Sequence, residues 1–278
     1  MTPVNDASLF SISIPSLGAH RGGSIVCTEP ATAVYLLTFT SPPDNRLTAA
    51  FCAAMLDALD TIEFGGFGPG VVVTTSGISK FYSNGLDLDH ALSTPGFWST
   101  SLFALFRRLL TYPMPTVALV NGHAFAGGLM LAMYHDYRVM NPSKGFACLN
   151  ELDFGAILKP PMSSIFRQKL PNSQVYRTLV LEAHRFPGPE ALVAGLVDKL
   201  GGFDEALSLI SERSLVDKGK TGVYGLLKAE MYRETMAYLS PEGHMDGETR
   251  ESRLLKEDDD RKEAGEKRVA VLQSKSRL

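Results

Sequence analysis

Three short stretches of this chain set small residues beside amide or acidic side chains, each just after an apolar run. The first is Phe81-Tyr82-Ser83-Asn84-Gly85-Leu86-Asp87-Leu88. Gly85 can take a positive φ there and leave the next amide exposed. The second is Asn121-Gly122-His123-Ala124-Phe125-Ala126-Gly127-Gly128, which leads into apolar residues of helical character. Paired glycines at a helix start let a ligand approach the backbone, and the unpaired N–H groups of a first turn favour negative charge. Two such amides aimed at one point would form an oxyanion hole. Taken singly, either loop reads as well as a tight turn. The third stretch is Leu149-Asn150-Glu151-Leu152-Asp153-Phe154-Gly155. A carboxylate drawn into apolar surroundings has its pKa raised, which suits a base working near neutral pH. Glu151 fits that role; a surface position at a strand end also fits it, and Asp153 is the competing carboxylate.

The elements that must position these loops alternate between strand and helix. Ser24–Cys27 and Val34–Phe39 read as strands, the second nearly all apolar and suited to a buried position. Thr48 can cap a helix reaching about Ile62. Val71–Thr75 and Thr116–Val120 are further buried strands, and the loops of interest follow them. Lys80–His90 reads as a loop and Phe97–Leu110 as a helix. Another helix starts near Leu129, and Tyr137–Met140 and Phe146–Leu149 read as strands. From Pro160 onward the pattern is helical, including Val223–Leu239, broken by Ser240-Pro241. Charged Glu248–Arg268 reads as a solvated helix. Strand and helix in alternation with short connections predict an α/β layered fold.

Composition narrows the function classes. The chain has 278 residues, enough for a large core. Its formal net charge is −3, so no global basic field points to nucleic acid. The three cysteines, Cys27, Cys52 and Cys148, have no regular spacing, do not resemble a disulfide framework and form no metal-spaced cluster. No apolar run reaches the roughly 18 residues of a membrane span, and Met1–Ile14 lacks the pattern of a secretory signal; it reads as a loose lead-in.

Taken together, the motifs carry a resemblance. Phe81–Leu88 resembles the first oxyanion loop of the crotonase, or enoyl-CoA hydratase/isomerase, family. Pro115–Asp136 is similar to that family's central signature. Glu182–Asp198, ending Ala-Gly-Leu-Val-Asp, is similar to a later block. The resemblance covers roughly residues 24–240. It implies a spiral core of stacked ββα turns with a C-terminal helical region, divided as a lead-in over 1–20, a core over 21–200 and a helical region over 201–278. It implies a CoA thioester whose carbonyl oxygen meets two backbone amides, those of Leu86 and Gly127. Asn84, Gly85, Asp87, Leu88 and Gly128 would surround the substrate. Assembly as a homotrimer or dimer of trimers is implied as well, with no cofactor beyond the coenzyme A of the substrate.

The family's hydratases use two glutamates. The first of those positions is Met130 here, which can neither activate water nor donate a proton; the second is Glu151. The resemblance therefore implies the Δ3,Δ2-enoyl-CoA isomerase branch, with one base moving one proton. Enoyl-CoA hydration, another CoA-thioester reaction, or an acyl-CoA-binding or scaffold role without turnover are the alternatives. Several side chains draw attention without a clear role. His123 and His135 read as structural. Lys218, Lys220 and Lys228 could meet CoA phosphates, although exposed lysines usually serve solubility alone. Lys159-Pro160-Pro161 could reshape the acyl pocket. The final Ser276-Arg277-Leu278 resembles the peroxisomal Ser-Lys-Leu address. It implies an import receptor as partner and the peroxisome as location.

Overall fold

A computed structural model describes residues 5–276. The chain lays down strands β1 (Asn5–Ile14), β2 (Gly23–Ala31), β3 (Val34–Thr40), β4 (Val71–Ser76), β5 (Phe81–Ser83), β6 (Thr116–Val120), β7 (His123–Phe125), β8 (Tyr137–Met140), β9 (Phe146–Cys148), β10 (Phe186–Pro187) and β11 (Lys199–Leu200). Seven form one sheet, in the order β1-β2-β3-β4-β6-β8-β11; four form a smaller one, in the order β10-β9-β7-β5. The pairs β4/β5, β6/β7 and β8/β9 each give one strand to each sheet before a helix follows. That is a stack of ββα turns, the α/β spiral that the family resemblance implies. Helices dominate after Pro160.

The sequence explains the central strands. Every residue of β4 (VVVTTS) and β6 (TVALV) is buried. Parallel strands in the middle of such a sheet are covered on both faces, so their sequences run apolar instead of alternating. The helix Ala49–Phe64 buries Phe51, Met55, Leu59 and Ile62, spaced as one helical stripe. Thr48 caps it, its Oγ1 accepting from the Phe51 amide at 3.2 Å. Phe51 meets Phe39 edge-on, with ring centroids 5.4 Å apart, and Tyr82 meets Phe39 at 5.2 Å.

Register in the small sheet decides where the three motifs end up. β5, β7 and β9 run parallel, with Ser83 opposite Ala124 and Phe125 opposite Cys148. Their C-terminal ends therefore lie side by side. The loops at Asn84–Asp87, Ala126–Gly128 and Asn150–Glu151 leave from that shared edge, although they are far apart in sequence.

Three expectations need correction. Much of the loose lead-in is β1, paired antiparallel with β2. Phe10, Ile12 and Ile14 alternate with Ser11 and Ser13, a period-two signal that marks a half-buried strand. The loop Lys80–His90 holds β5 and the start of a helix, Leu88–Ser93. Val223–Leu239 is two helices, Tyr224–Met231 and Arg233–Tyr238, and Pro241–Ser276 is a single helix of 36 residues. From Ser252 to Lys275 nearly all of it is exposed, as its charged sequence suggests. All three cysteines are free and buried. Among the described residues, no helix is long and apolar enough to cross a membrane.

Candidate active site

The first loop hangs from the end of β5. Gly85 has φ +80°. A Cβ there would fall 3.0 Å from the Gly127 amide nitrogen and 2.9 Å from the Phe125 carbonyl oxygen. Glycine is thus needed both for the backbone conformation and for the approach of the second loop. The Asn84 side chain donates to Asp44 Oδ2 at 2.7 Å, so it stabilises the turn. Asp87 caps the helix Leu88–Ser93, accepting from the His90 amide at 2.9 Å. Its other oxygen pairs with His20 Nε2 at 2.6 Å. The His90 amide bond, followed by the His20 bond, holds the Asp87 carboxyl below the usual carboxylate range.

The second loop turns at Ala126, whose φ is +50° and ψ −122°. Non-glycine residues reach that region at a cost of order 1–3 kcal/mol, a strain found chiefly where geometry serves a site. Gly127 and Gly128 open the helix Gly127–Met133. A Cβ on Gly128 would lie 2.2 Å from the Ser83 carbonyl oxygen; one on Gly127 would meet the Leu86 side chain at 3.3 Å. The loops are therefore packed backbone to backbone. Among the described residues neither the Leu86 nor the Gly127 amide has a hydrogen-bond acceptor.

Glu151 is the first residue of the short helix Glu151–Phe154, which Gly155 ends at φ +72°. It is 9% exposed, and its Oε2 is buried with no hydrogen-bond partner among the described residues. Burial pushes its carboxyl up to about 7. The neighbouring Asn150 Oδ1 is also buried and unpartnered. Asp153, the competing carboxylate, is exposed and does not line the cavity that Glu151 faces.

That cavity has a volume of about 840 Å³. Asn84, Leu86, Asp87, Leu88, Gly127 and Glu151 all line it. Gly85 and Gly128, expected beside the substrate, do not: they lie behind the wall, where close packing demands their lack of a side chain. Met130 lines the cavity and is 1% exposed. The position that would carry a second glutamate is therefore an apolar part of the wall. Other carboxylates on the wall are engaged or wet. Asp87 is paired as described, Glu251 meets Lys159 Nζ at 2.7 Å, and Asp89 is exposed.

The remaining candidates separate cleanly. His135 is fully buried, bound to Thr74 Oγ1 and the Leu131 carbonyl at 2.9 Å each, and burial pushes it down to about 3. His123 stacks on Phe146 at 5.5 Å and does not reach the cavity. Both are structural. Lys228 is buried, donating to the Leu109 carbonyl at 2.9 Å and paired with Asp136, so it is not free to meet a phosphate. Lys220 pairs with Asp217, and neither it nor Lys218 lines the cavity. Lys159 does line it, with Nζ 4.9 Å from the Trp98 ring centroid. Arg46, Trp98 and Glu251 join the wall unannounced by any local motif; topology alone brings them there. Ser276 ends the last helix, and Arg277 and Leu278 lie outside the described residues.

Known proteins share this chain's sequence pattern and fold. A family model described as enoyl-CoA hydratase/isomerase matches residues 29–262. The peroxisomal enoyl-CoA delta isomerase 1 of Arabidopsis thaliana is 31% identical over 220 residues, covering 76% of this chain and 90% of that protein. Peroxisomal enoyl-CoA delta isomerase 2 of the same plant is 30% identical, covering 78% and 96%. The crystal structure of human mitochondrial delta3-delta2-enoyl-CoA isomerase superposes with a TM-score of 0.65 at 24% identity, over 84% of this chain and 98% of that one, which speaks for the fold. With the model matched across most of its length and relatives covered almost end to end, this chain belongs to the enoyl-CoA hydratase/isomerase family.

Proposed function

We propose that this protein is a Δ3,Δ2-enoyl-CoA isomerase working with one base. The observation that carries the reading is the pairing of Glu151 with Met130. Of the carboxylates on the cavity wall, Glu151 alone is buried, and the wall position for a second glutamate is a thioether. A 3-enoyl thioester has acidic protons at C2, between the carbonyl and the alkene. Glu151 takes one, leaving a dienolate whose charge concentrates on the thioester oxygen. The Leu86 and Gly127 amides, which have no acceptor among the described residues, stabilise that oxygen. Glu151 returns the proton at C4, giving the conjugated 2-enoyl thioester. The raised pKa makes the carboxyl able both to accept and to release a proton near neutral pH. A protein that only bound acyl-CoA would have no use for a buried carboxyl with one oxygen unpartnered among the described residues, which costs stability.

The test is turnover of trans-3-hexenoyl-CoA, read by absorbance of the conjugated product, with crotonyl-CoA hydration beside it. Conjugation should be fast, hydration negligible, and Glu151→Gln should lose roughly 10²–10⁴-fold in rate while acyl-CoA still binds. Hydration without isomerisation would overturn the reading. We also propose a role in β-oxidation of unsaturated fatty acids and location in the peroxisome, supported by relatives with peroxisomal names. Deleting Leu278 from a tagged protein should disperse it, and an unchanged distribution sinks the location. A homotrimer or dimer of trimers is the expected assembly, to be measured by sedimentation.

A further inference from the structure

The Leu86 N–H belongs to the peptide plane between Gly85 and Leu86. In a trans peptide the carbonyl and the N–H point in opposite directions. Whatever holds the Gly85 carbonyl therefore aims the Leu86 amide. Gly85 weakens this arrangement, because a residue without Cβ passes easily between positive and negative φ. A flip of that one plane would present a carbonyl oxygen where the N–H should be. Something outside the loop has to prevent it.

The segment Asp44–Leu47 does so. The Leu47 amide donates to the Gly85 carbonyl at 2.9 Å. Arg46 Nη1 donates to the carbonyls on either side, Asn84 O at 3.0 Å and Leu86 O at 2.8 Å. Three consecutive carbonyls are thus drawn to one side. The clamp is itself anchored. Arg46 Nε donates to Asp44 Oδ2 at 3.0 Å, and that same oxygen accepts from Asn84 Nδ2. Asn45, at φ +54°, ties its carboxamide to the Ser41 amide, to Ser76 Oγ and to the Tyr82 carbonyl, and its own carbonyl accepts from Ser83 Oγ at 2.7 Å. Arg46 lines the cavity with its side chain 31% exposed. A guanidinium is suited to this role, since its planar fork can serve a carboxylate and two carbonyls at once.

We infer that Arg46 is a positioning residue for the reaction: by bridging the Asn84 and Leu86 carbonyls it steadies both sides of the peptide plane that the Leu47 amide holds, and so keeps the Leu86 N–H toward the developing oxyanion. This rests on the isomerase reading above. It does not need Arg46 to touch the substrate, so the inference separates orientation of the donor from binding of coenzyme A.

The experiment measures kcat with trans-3-hexenoyl-CoA, Kd for saturated hexanoyl-CoA, and the long-wavelength enolate absorbance of bound acetoacetyl-CoA. Wild type, Arg46→Met and Arg46→Lys are compared. Arg46→Met should lose about 10²-fold in kcat, the size of losing one oxyanion donor. Its hexanoyl-CoA Kd should stay within about threefold, and its enolate band should weaken. Arg46→Lys should recover part of kcat, and added guanidinium at low millimolar concentration should partly rescue Arg46→Met, since the side chain reaches the cavity surface. An unchanged kcat in Arg46→Met, or a weaker hexanoyl-CoA Kd with kcat intact, overturns the inference; the second result would make Arg46 a ligand of the coenzyme. Absence of isomerisation in the wild type would instead defeat the functional reading. The enolate band would still report on Arg46 in that case, because it requires only the oxyanion donors.

Discussion

Two parts of the cavity lining treat their polar groups in opposite ways. On the loop wall, Asn84, Gly85 and Leu86 each have the carbonyl bonded, and the Asn84 side chain is bonded as well. On the base wall, Asn150 Oδ1 and Glu151 Oε2 are buried with no hydrogen-bond partner among the described residues. The first arrangement fixes direction. The second stores free energy, because a buried unsatisfied polar atom costs about 1–3 kcal/mol. Donors that must meet a charge at one place gain from rigidity. A base that must take a proton at one carbon and return it at another gains from having no competing partner. The difference between the walls is the difference between those two tasks.

The largest break in this comparison is Gly85→Ala. The methyl would fall 3.0 Å from the Gly127 nitrogen at a backbone φ of +80°, so both loops must shift. We expect kcat to fall about 10²-fold or more while the far-UV circular dichroism stays native, since losing one oxyanion donor alone has that size. A variant with kcat close to wild type would mean that the loop wall tolerates movement and is not the rigid half of the pair.

The base wall is probed by pH. Glu151 must be ionised to take a proton, and burial pushes its carboxyl up to about 7. Below that value the ionised fraction drops about tenfold per pH unit, so kcat/KM should rise with that slope up to about pH 7 and then level. A rising limb centred near the ordinary carboxylate range would show that water reaches Glu151 and that this wall is not dry.

Stability reads the same contrast without substrate. A carboxyl whose folded pKa lies above its unfolded one binds more protons in the folded state, so stability falls as pH rises from the unfolded value to about 7 and is flat beyond. Glu151→Gln removes that loss. It should match wild type near pH 4, and above pH 7 it should be more stable by up to about 3 kcal/mol, following the usual conversion of pKa shifts to free energy. Thermal melts at the two pH values decide it; a variant less stable than wild type at both would show that Glu151 has a stabilising partner after all.

How much of this was legible follows from distance along the chain. Gly85, Gly127-Gly128 and Glu151 stand in short motifs because their demands are local: a positive φ, a close approach, a carboxyl at the start of a helix. Met130 was legible only through the family resemblance, as the place where the hydratases carry their first glutamate. The clamp on the first loop was not, since Arg46 lies 38 and 40 residues from the carbonyls it holds and belongs to a loop with no signature of its own. Lys159 and Glu251, 92 residues apart, are joined only because the last helix returns to the cavity. Asp87 was legible as part of a motif but not as a helix cap paired with His20, which comes from the segment before β2. Strand β1 was missed although Phe10, Ile12 and Ile14 carry its alternation, because serines between them read as a polar tail.

Asn84→Ala should have the smallest effect, and it sharpens the comparison most finely. The substitution deletes one bond, from Nδ2 to Asp44 Oδ2. It leaves the Asn84 amide on the Asp44 carbonyl at 3.0 Å, the Asn84 carbonyl on Arg46, and Arg46 on Asp44. If the loop wall is rigid because many backbone groups are satisfied together, removing one side-chain bond costs about 0.5–1.5 kcal/mol of stability and leaves kcat within about threefold. Arg46→Met, which removes the bridge between two carbonyls and the bond to Asp44, should then be far more damaging to kcat than Asn84→Ala. Asn84 also lines the cavity, so the opposite outcome has a clear meaning. A fall in kcat of tenfold or more with melting little changed would place the Asn84 carboxamide against the substrate, and the first loop would be a binding surface as well as a mount for the Leu86 amide.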